Sequence, residues 1–363
     1  MATIWITGRG NVGYGCNLGS NHTGRLADQE CWAGEGTFWG LSNVVKFPIN
    51  LTQSPYSIVA AGVQFMPQRV CMPFSLFTDH LVQKNNNVIH GNHCCPGWVL
   101  LHSPYTVSRS EYKFSTRTKA KRHHRYTNWK ISRPMIIDLC VKARRALQGL
   151  NCNGQQELYF SDKDIDGLGM CYMSESSRLD GIKVYSNFIQ RYALHGLLDK
   201  IIESFKESSD FSLLESINPR GTSHSKKGDD STQLLEAPVL PWDEPSYQNS
   251  DELWNHQVSI LKSEFPDAFL NTASEVSSSC ASLTVVGSLL KHLSQLEEEF
   301  SKKVELSKKK DDTRGVKIVP KYADFHEKAE DDKTVILVRQ ETQRTVESIK
   351  VILQDKRHKL SHL

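Results

Sequence analysis

The chain has 363 residues, of which 39% are hydrophobic and 23% charged, and its formal net charge is +3. That length allows two or three domains with a sizeable core. The near-neutral charge says little about partners, and no apolar run approaches the roughly 20 residues of a membrane span. No basic stretch followed by a long apolar run stands at the start, so no signal peptide is expected. The nine cysteines are scattered without C-x-x-C pairs. That usage suits a reducing compartment, and the cytoplasm is the expected location.

The first patterned stretch is Ile6 to Gly24. An aliphatic residue recurs every six positions (Ile6, Val12, Leu18), each followed by a small one (Thr7, Gly13, Gly19). A six-residue repeat with one inward aliphatic residue is the sequence sign of a parallel β-helix. Gly8, Gly10 and Gly13 also spell G-x-G-x-x-G, but a dinucleotide site needs a helix next. The glycines and asparagines that follow argue against one. After Leu18 the phase fails and resumes at Ala33-Gly34, Trp39-Gly40 and Val45. A loop carrying Asn21, His22, Arg25, Asp28 and Glu30 must therefore leave the shaft. Loops on a rigid β scaffold are where binding groups tend to sit.

Residues 44 to 114 read as short strands and turns, including Trp98-Val99-Leu100-Leu101, interrupted by prolines. This section is expected to cap the shaft, with Asn85-Asn86-Asn87 at its tip. Residues 109 to 145 hold twelve Lys and Arg against Glu111 and Asp138, twelve minus two giving +10. Met135 to Leu147 and residues 183 to 208 read as helices. Residues 215 to 250 have linker composition. Helices are then expected over Asp251–Phe265, Leu283–Leu306 and about Ala329–Arg357, with apolar stripes that suggest a hairpin or small bundle.

Three blocks carry a resemblance. The first is Ser20-Asn21-His22, Arg25, Ala27-Asp28, Glu30, Gly34-Glu35-Gly36 and Phe38-Trp39-Gly40-Leu41. The second is Pro73-Phe74-Ser75-Leu76, and the third is Tyr105, Arg109, Lys113-Phe114 and Arg117. Over about residues 1 to 150 they resemble a family of hexapeptide-repeat proteins known only as a domain of unknown function. Its members are similar in fold to trimeric acyltransferases of the lipid A type and carry an extra helical domain. The resemblance implies many more coils than this chain begins with, as if it were truncated. The expected fold is thus mixed β and α. It comprises the last coils of a left-handed β-helix (1–46), a β-rich cap with the basic segment (47–150) and a mixed or helical extension (151–214). A linker (215–250) and a helical domain (251–363) complete it.

The expected site follows. In hexapeptide acyltransferases a histidine takes the proton from the attacking hydroxyl or amine, which makes His22 the candidate base. Asp28, Glu30 or Glu35 would fix its tautomer, and Asn21 would bond a substrate hydroxyl or oxyanion. The alternative is that Asn21 and His22 only tie the loop to the shaft. Arg25, Arg109, Lys113 and Arg117 are candidates for a coenzyme or sugar-nucleotide phosphate, with acyl-CoA or a sugar nucleotide as the implied ligand. A solvated basic face is the alternative. His90, His93, Cys94 and Cys95 form H-x-x-H-C-C, but adjacent cysteines rarely fit one tetrahedral site, so packing is favoured and no metal is expected. The leading reading is a transferase-like protein with a small-molecule substrate, a homo-oligomer by resemblance and no membrane. The competing ones are an assembly scaffold built on the C-terminal helices, and nucleic-acid binding through residues 109–145, which is the less favoured partner.

Overall fold

The computed structural model describes residues 3–5, 9–19, 24–79, 82–84, 87–89, 91–117, 130–150, 159–207, 250–270 and 278–360. Its strands are β1 (Thr3–Trp5), β2 (Asn11–Val12), β3 (Glu30–Trp32), β4 (Phe38–Trp39), β5 (Val44–Val45), β6 (Ile49–Asn50), β7 (Ile58–Val59), β8 (Gln64–Phe65), β9 (Gln68–Arg69), β10 (Leu76–Thr78), β11 (Val82–Lys84), β12 (Asn87–Ile89), β13 (Asn92–Cys95), β14 (Tyr159–Phe160) and β15 (Cys171–Ser174). The helices are α1 (Trp98–His102), α2 (Pro104–Arg117), α3 (Pro134–Gln148), α4 (Glu175–Glu207), α5 (Ser250–Glu264), α6 (Pro266–Leu270), α7 (Ser278–Ile318), α8 (Tyr322–Phe325) and α9 (Lys333–Leu360), besides a short 3-10 turn at Ala27–Gln29.

Most pairings are parallel. One sheet runs β1-β3-β6-β9 and a second β14-β15-β13-β10-β7-β4-β2, while β5 pairs with β8 and β11 with β12. The register sets Cys31 against Ile49, Ile49 against Gln68, and Val59 against Phe77. Strands of two or three residues place a single side chain inward. Those chains are long and apolar: Trp39, Val45, Ile49, Val59, Phe65 and Phe77 are all buried. Trp39 meets Phe65 edge-on at 6.3 Å and Phe65 meets Phe77 at 5.1 Å. Burying each is worth about 1.5–3 kcal/mol. The turns carry their own hydrogen bonds. Ser54 Oγ accepts from the Met72 N–H at 2.8 Å and Ser57 Oγ from the Ser75 N–H at 3.0 Å, so these buried hydroxyls satisfy backbone that no ladder reaches.

This architecture corrects the expected left-handed β-helix. The described residues form a mixed α/β arrangement of short, mostly parallel strands with C-terminal helices. The sheets are not uniformly parallel: β10 and β13, β14 and β15, and β11 and β12 are antiparallel pairs. The founding repeat also fails where it is described. Val12, expected inside a shaft, is 53% exposed on the edge strand β2. Leu18 lies in no strand and Ile6 falls outside the described residues. A second correction concerns Trp98–Leu101. The run was read as β-prone, but it is helix α1, launched from Gly97 in the left-handed region (φ 67°) with the Val99 N–H donating to the Phe74 carbonyl. Tertiary anchoring overrides local propensity there.

Two compact units divide the chain: Met1–Ile189 with Glu298–Glu341, and Gln190–Glu297 with Thr342–Leu363. The first holds the strands and α1 to α3. In the second, residues of α4, α5 and α7 bury Leu194, Leu197, Trp254, Leu261, Leu290 and Leu293. Polar side chains pin these helices together. Tyr192 Oη lies 3.0 Å from His256 Nδ1, Gln190 donates to Glu264 at 3.2 Å, and His292 Nε2 is 3.0 Å from Gln190 Oε1. The helices expected around residues 135–147, 183–208, 251–265, 283–306 and 329–357 correspond to α3, α4, α5, α7 and α9. The expected linker lies outside the described residues up to residue 249. No described helix is long and apolar enough to cross a membrane.

Candidate functional site

The most charged buried place in the first unit starts at Gly34-Glu35-Gly36. A Cβ on Gly34 would lie 2.2 Å from the Leu51 carbonyl oxygen. Gly36 has φ 67°, and the Tyr56 ring lies against it. Only glycine fits both places, and Glu35 between them turns inward. Tyr56, itself in the left-handed region (φ 57°), donates its N–H to the Glu35 carbonyl at 2.6 Å and its hydroxyl to Glu35 Oε1. Its ring stacks on Phe74 at 5.5 Å. Arg133, the N-cap residue of α3 ahead of Pro134, donates Nη2 to Glu35 Oε2 at 2.5 Å. Arg9 Nη1 donates to Tyr56 Oη at 3.1 Å, and Arg9 Nε is 3.8 Å from Glu35 Oε1. Burial, and then the Glu35 carboxylate, push the Tyr56 phenol far above its ordinary range, so it remains a donor.

This network braces α2. The Arg9 guanidinium lies over the Phe114 ring, 4.3 Å from its centroid, and Glu111 Oε1 accepts the Ile131 N–H at 3.2 Å. Val107 is buried on the same side. Away from that anchored side, Arg109, Lys113 and Arg117 follow one another at four-residue intervals, the spacing that stacks side chains in one row. Arg109 and Arg117 are exposed and Lys113 is half-buried. Burial first, and then Arg109 and Arg117, lower the Lys113 pKa. None of the three makes an ion pair or a side-chain hydrogen bond among the described residues. Like charges at this spacing cost about 0.2–0.5 kcal/mol a pair. An anion across the row would remove that cost.

The other expected residues fall elsewhere. His22 and Asn21 lie outside the described residues. Arg25 is exposed, while Asp28 in the 3-10 turn and Glu30 at the start of β3 are half-buried. Glu30 Oε2 accepts the Trp32 indole N–H at 3.1 Å. Glu35 spends its carboxylate on Tyr56 and Arg133. The basic run divides as well: residues 118–129 are outside the description, whereas Arg133 and Arg144 are buried, Arg144 donating to Ser186 Oγ at 3.2 Å. His93 stacks on Tyr172 at 5.1 Å with Nδ1 3.5 Å from Cys95 Sγ, and Cys94 is fully buried beside Ser75. No group of three metal-ligating side chains occurs among the described residues. Sequence reasoning missed Arg9, Tyr56 and Arg133 as partners of Glu35, because they meet only in the fold. The glycines flanking an acid were the available signal.

No protein-family model matches the chain. An uncharacterized protein of Treponema pallidum (strain Nichols) is 29% identical to it over 116 residues, which cover 32% of this chain and 15% of that protein. The chain thus matches only a small part of a longer relative. No solved structure matches it.

Proposed function

We propose that the chain is a transferase-like protein that holds the phosphate groups of an activated donor, an acyl-coenzyme A or a sugar nucleotide, on the cation row of α2. The observation that carries this reading is the row itself: Arg109, Lys113 and Arg117 at helical spacing, with no anionic partner among the described residues, on a helix fastened by Phe114 and Glu111. Guanidinium and ammonium groups bind phosphate oxygens through charge-assisted hydrogen bonds. The sequence block with Tyr105, Arg109, Lys113 and Arg117 supports the donor class by its resemblance to hexapeptide-repeat proteins. Proton transfer falls in this reading to His22, with Asp28 or Glu30 as candidates to fix its tautomer and Asn21 to bond a substrate hydroxyl or oxyanion. The compartment is reducing, cytoplasm by preference, a choice supported by seven free thiols among the described cysteines.

Calorimetric titration of the purified chain with coenzyme A and with a uridine diphosphate sugar tests the reading. The parent should bind one of them, and the combined Arg109→Ala, Lys113→Ala, Arg117→Ala variant should bind about tenfold or more weakly. Its melting temperature should match or slightly exceed the parent's, because repulsion within the row is gone. Equal binding by parent and variant, or no binding of either donor, overturns the reading. A random single-stranded oligonucleotide serves as a third ligand. Binding tighter than either donor, with a steep loss in salt, would assign the row to nucleic acid instead.

A further inference from the structure

A second site lies in the first unit, apart from the α2 row. The end of α1 and the Lys303–Thr313 part of α7 line an open cleft of about 390 Å³. That is within the roughly 300–1,000 Å³ typical of small-ligand clefts. Leu101 and Leu306 form apolar walls, and Leu306 is 47% exposed. His102, Lys303, Lys309 and Lys310 supply the polar groups, and among the described residues no acidic side chain lines the cleft. Lys309 is held by Glu305 at 2.6 Å and Lys303 lies 3.9 Å from Glu299. The Lys310 side chain makes no ion pair or hydrogen bond among the described residues. The His102 ring leans on Trp98 at 5.5 Å. Burial and then Lys310 lower the His102 pKa, with Asp180 opposing them.

Apolar walls and the Lys310 ammonium, which has no ion pair among the described residues, call for a ligand that has both an apolar body and an anionic head. We propose that this cavity binds an organic anion with a short hydrocarbon segment, its carboxylate or phosphate beside Lys310 and its hydrocarbon between Leu101 and Leu306. A bare inorganic anion would leave the leucines wet, and a neutral alcohol would leave Lys310 without its counter-charge. The residues are distinct from Arg109, Lys113 and Arg117, so this proposal and the donor reading stand or fall separately.

The test is titration of the full chain with octanoate, octyl phosphate, octanol and inorganic phosphate. Octanoate or octyl phosphate should bind, with octanol and inorganic phosphate weaker by about tenfold or more. Lys310→Glu should abolish binding of the octyl anions, and Leu306→Ser should weaken it several-fold. Lys317→Glu, on the same helix but away from the cavity, should leave it unchanged. All three positions are exposed, so melting temperatures should stay near the parent's. The proposal is overturned if neither octyl anion binds at millimolar concentration. It is equally overturned if Lys310→Glu binds like the parent, or if octanol or inorganic phosphate binds as well as the octyl anions.

Discussion

Replacing Glu35 by alanine is expected to destabilise the strand-rich unit by about 3–5 kcal/mol, the range found when one partner of a buried ion pair is removed. The cause is what remains behind. Arg133 is 2% exposed and would keep its charge without the carboxylate that receives Nη2. The Tyr56 hydroxyl would lose its acceptor in the same step, and Arg9 its neighbouring negative charge. Tyr56→Phe removes one hydroxyl bonded to two charged groups and should cost less, about 1.5–3 kcal/mol. Urea unfolding followed by circular dichroism separates the two. A Glu35→Ala midpoint indistinguishable from the parent's would mean that the network is not what holds this unit. The double variant Glu35→Ala, Arg133→Met should recover part of the loss, since it leaves no unpaired charge from that pair in the core.

Glu297→Ala is the corresponding experiment in the helical unit, with an expected loss of about 3–5 kcal/mol. Glu297 is 2% exposed; Arg191 donates Nε to Oε1 and Nη2 to Oε2 at 3.1 Å, and His195 Nε2 lies 2.7 Å from Oε1. Burial is the largest influence on this carboxyl and would raise its pKa. Arg191 and His195 together outweigh it and bring the value down to about 2 from the ordinary 4.5. A carboxylate whose pKa is depressed by folding binds fewer protons in the native state. It therefore stabilises the protein above about 4.5, and that contribution fades as the pH falls from there towards 2. The drop from 4.5 to 2 corresponds to about 3 kcal/mol at neutral pH. Stability measured between pH 6 and pH 3 should fall in the parent, and less steeply in Glu297→Gln, which has no carboxyl to protonate. Parallel pH profiles would exclude Glu297 as the source.

The sequence revealed positions better than it revealed architecture. Ala33, Trp39 and Val45, read as one six-residue phase, are all buried. The same phase does not carry back to Val12, which faces solvent on an edge strand. A repeat tells which residue of a short strand turns inward, but not how the strands group into sheets, because pairing is decided by residues far apart. The β10–β13 antiparallel pair has no local signature at all. Long helices were legible because apolar residues recur at helical spacing over many turns. Five-residue α1 was not, since Trp98-Val99-Leu100-Leu101 has no room to show a period. The α2 row was picked out through its sequence block, and the four-residue interval became meaningful only once the segment proved helical. The buried network was hardest to read. Glu35 and Tyr56 are 21 residues apart and Glu35 and Arg133 are 98 apart, so no spacing rule joins them.

The buried sulfurs of the first unit give the molecule a set of internal clocks. Cys31 sits in β3, Cys94 in β13, Cys140 in α3 and Cys171 in β15, all free and all buried. Burial, followed by the neighbouring Cys16, pushes the Cys31 thiol up to about 12, and burial raises the other three well above the ordinary thiol range too. Alkylating reagents attack the thiolate, so each sulfur is silent until its own element opens to water. The rate at which each peptide gains an alkyl group under native conditions then measures the opening of that element alone. The order of the four rates would rank strands and helix by local stability, from the first to open to the last.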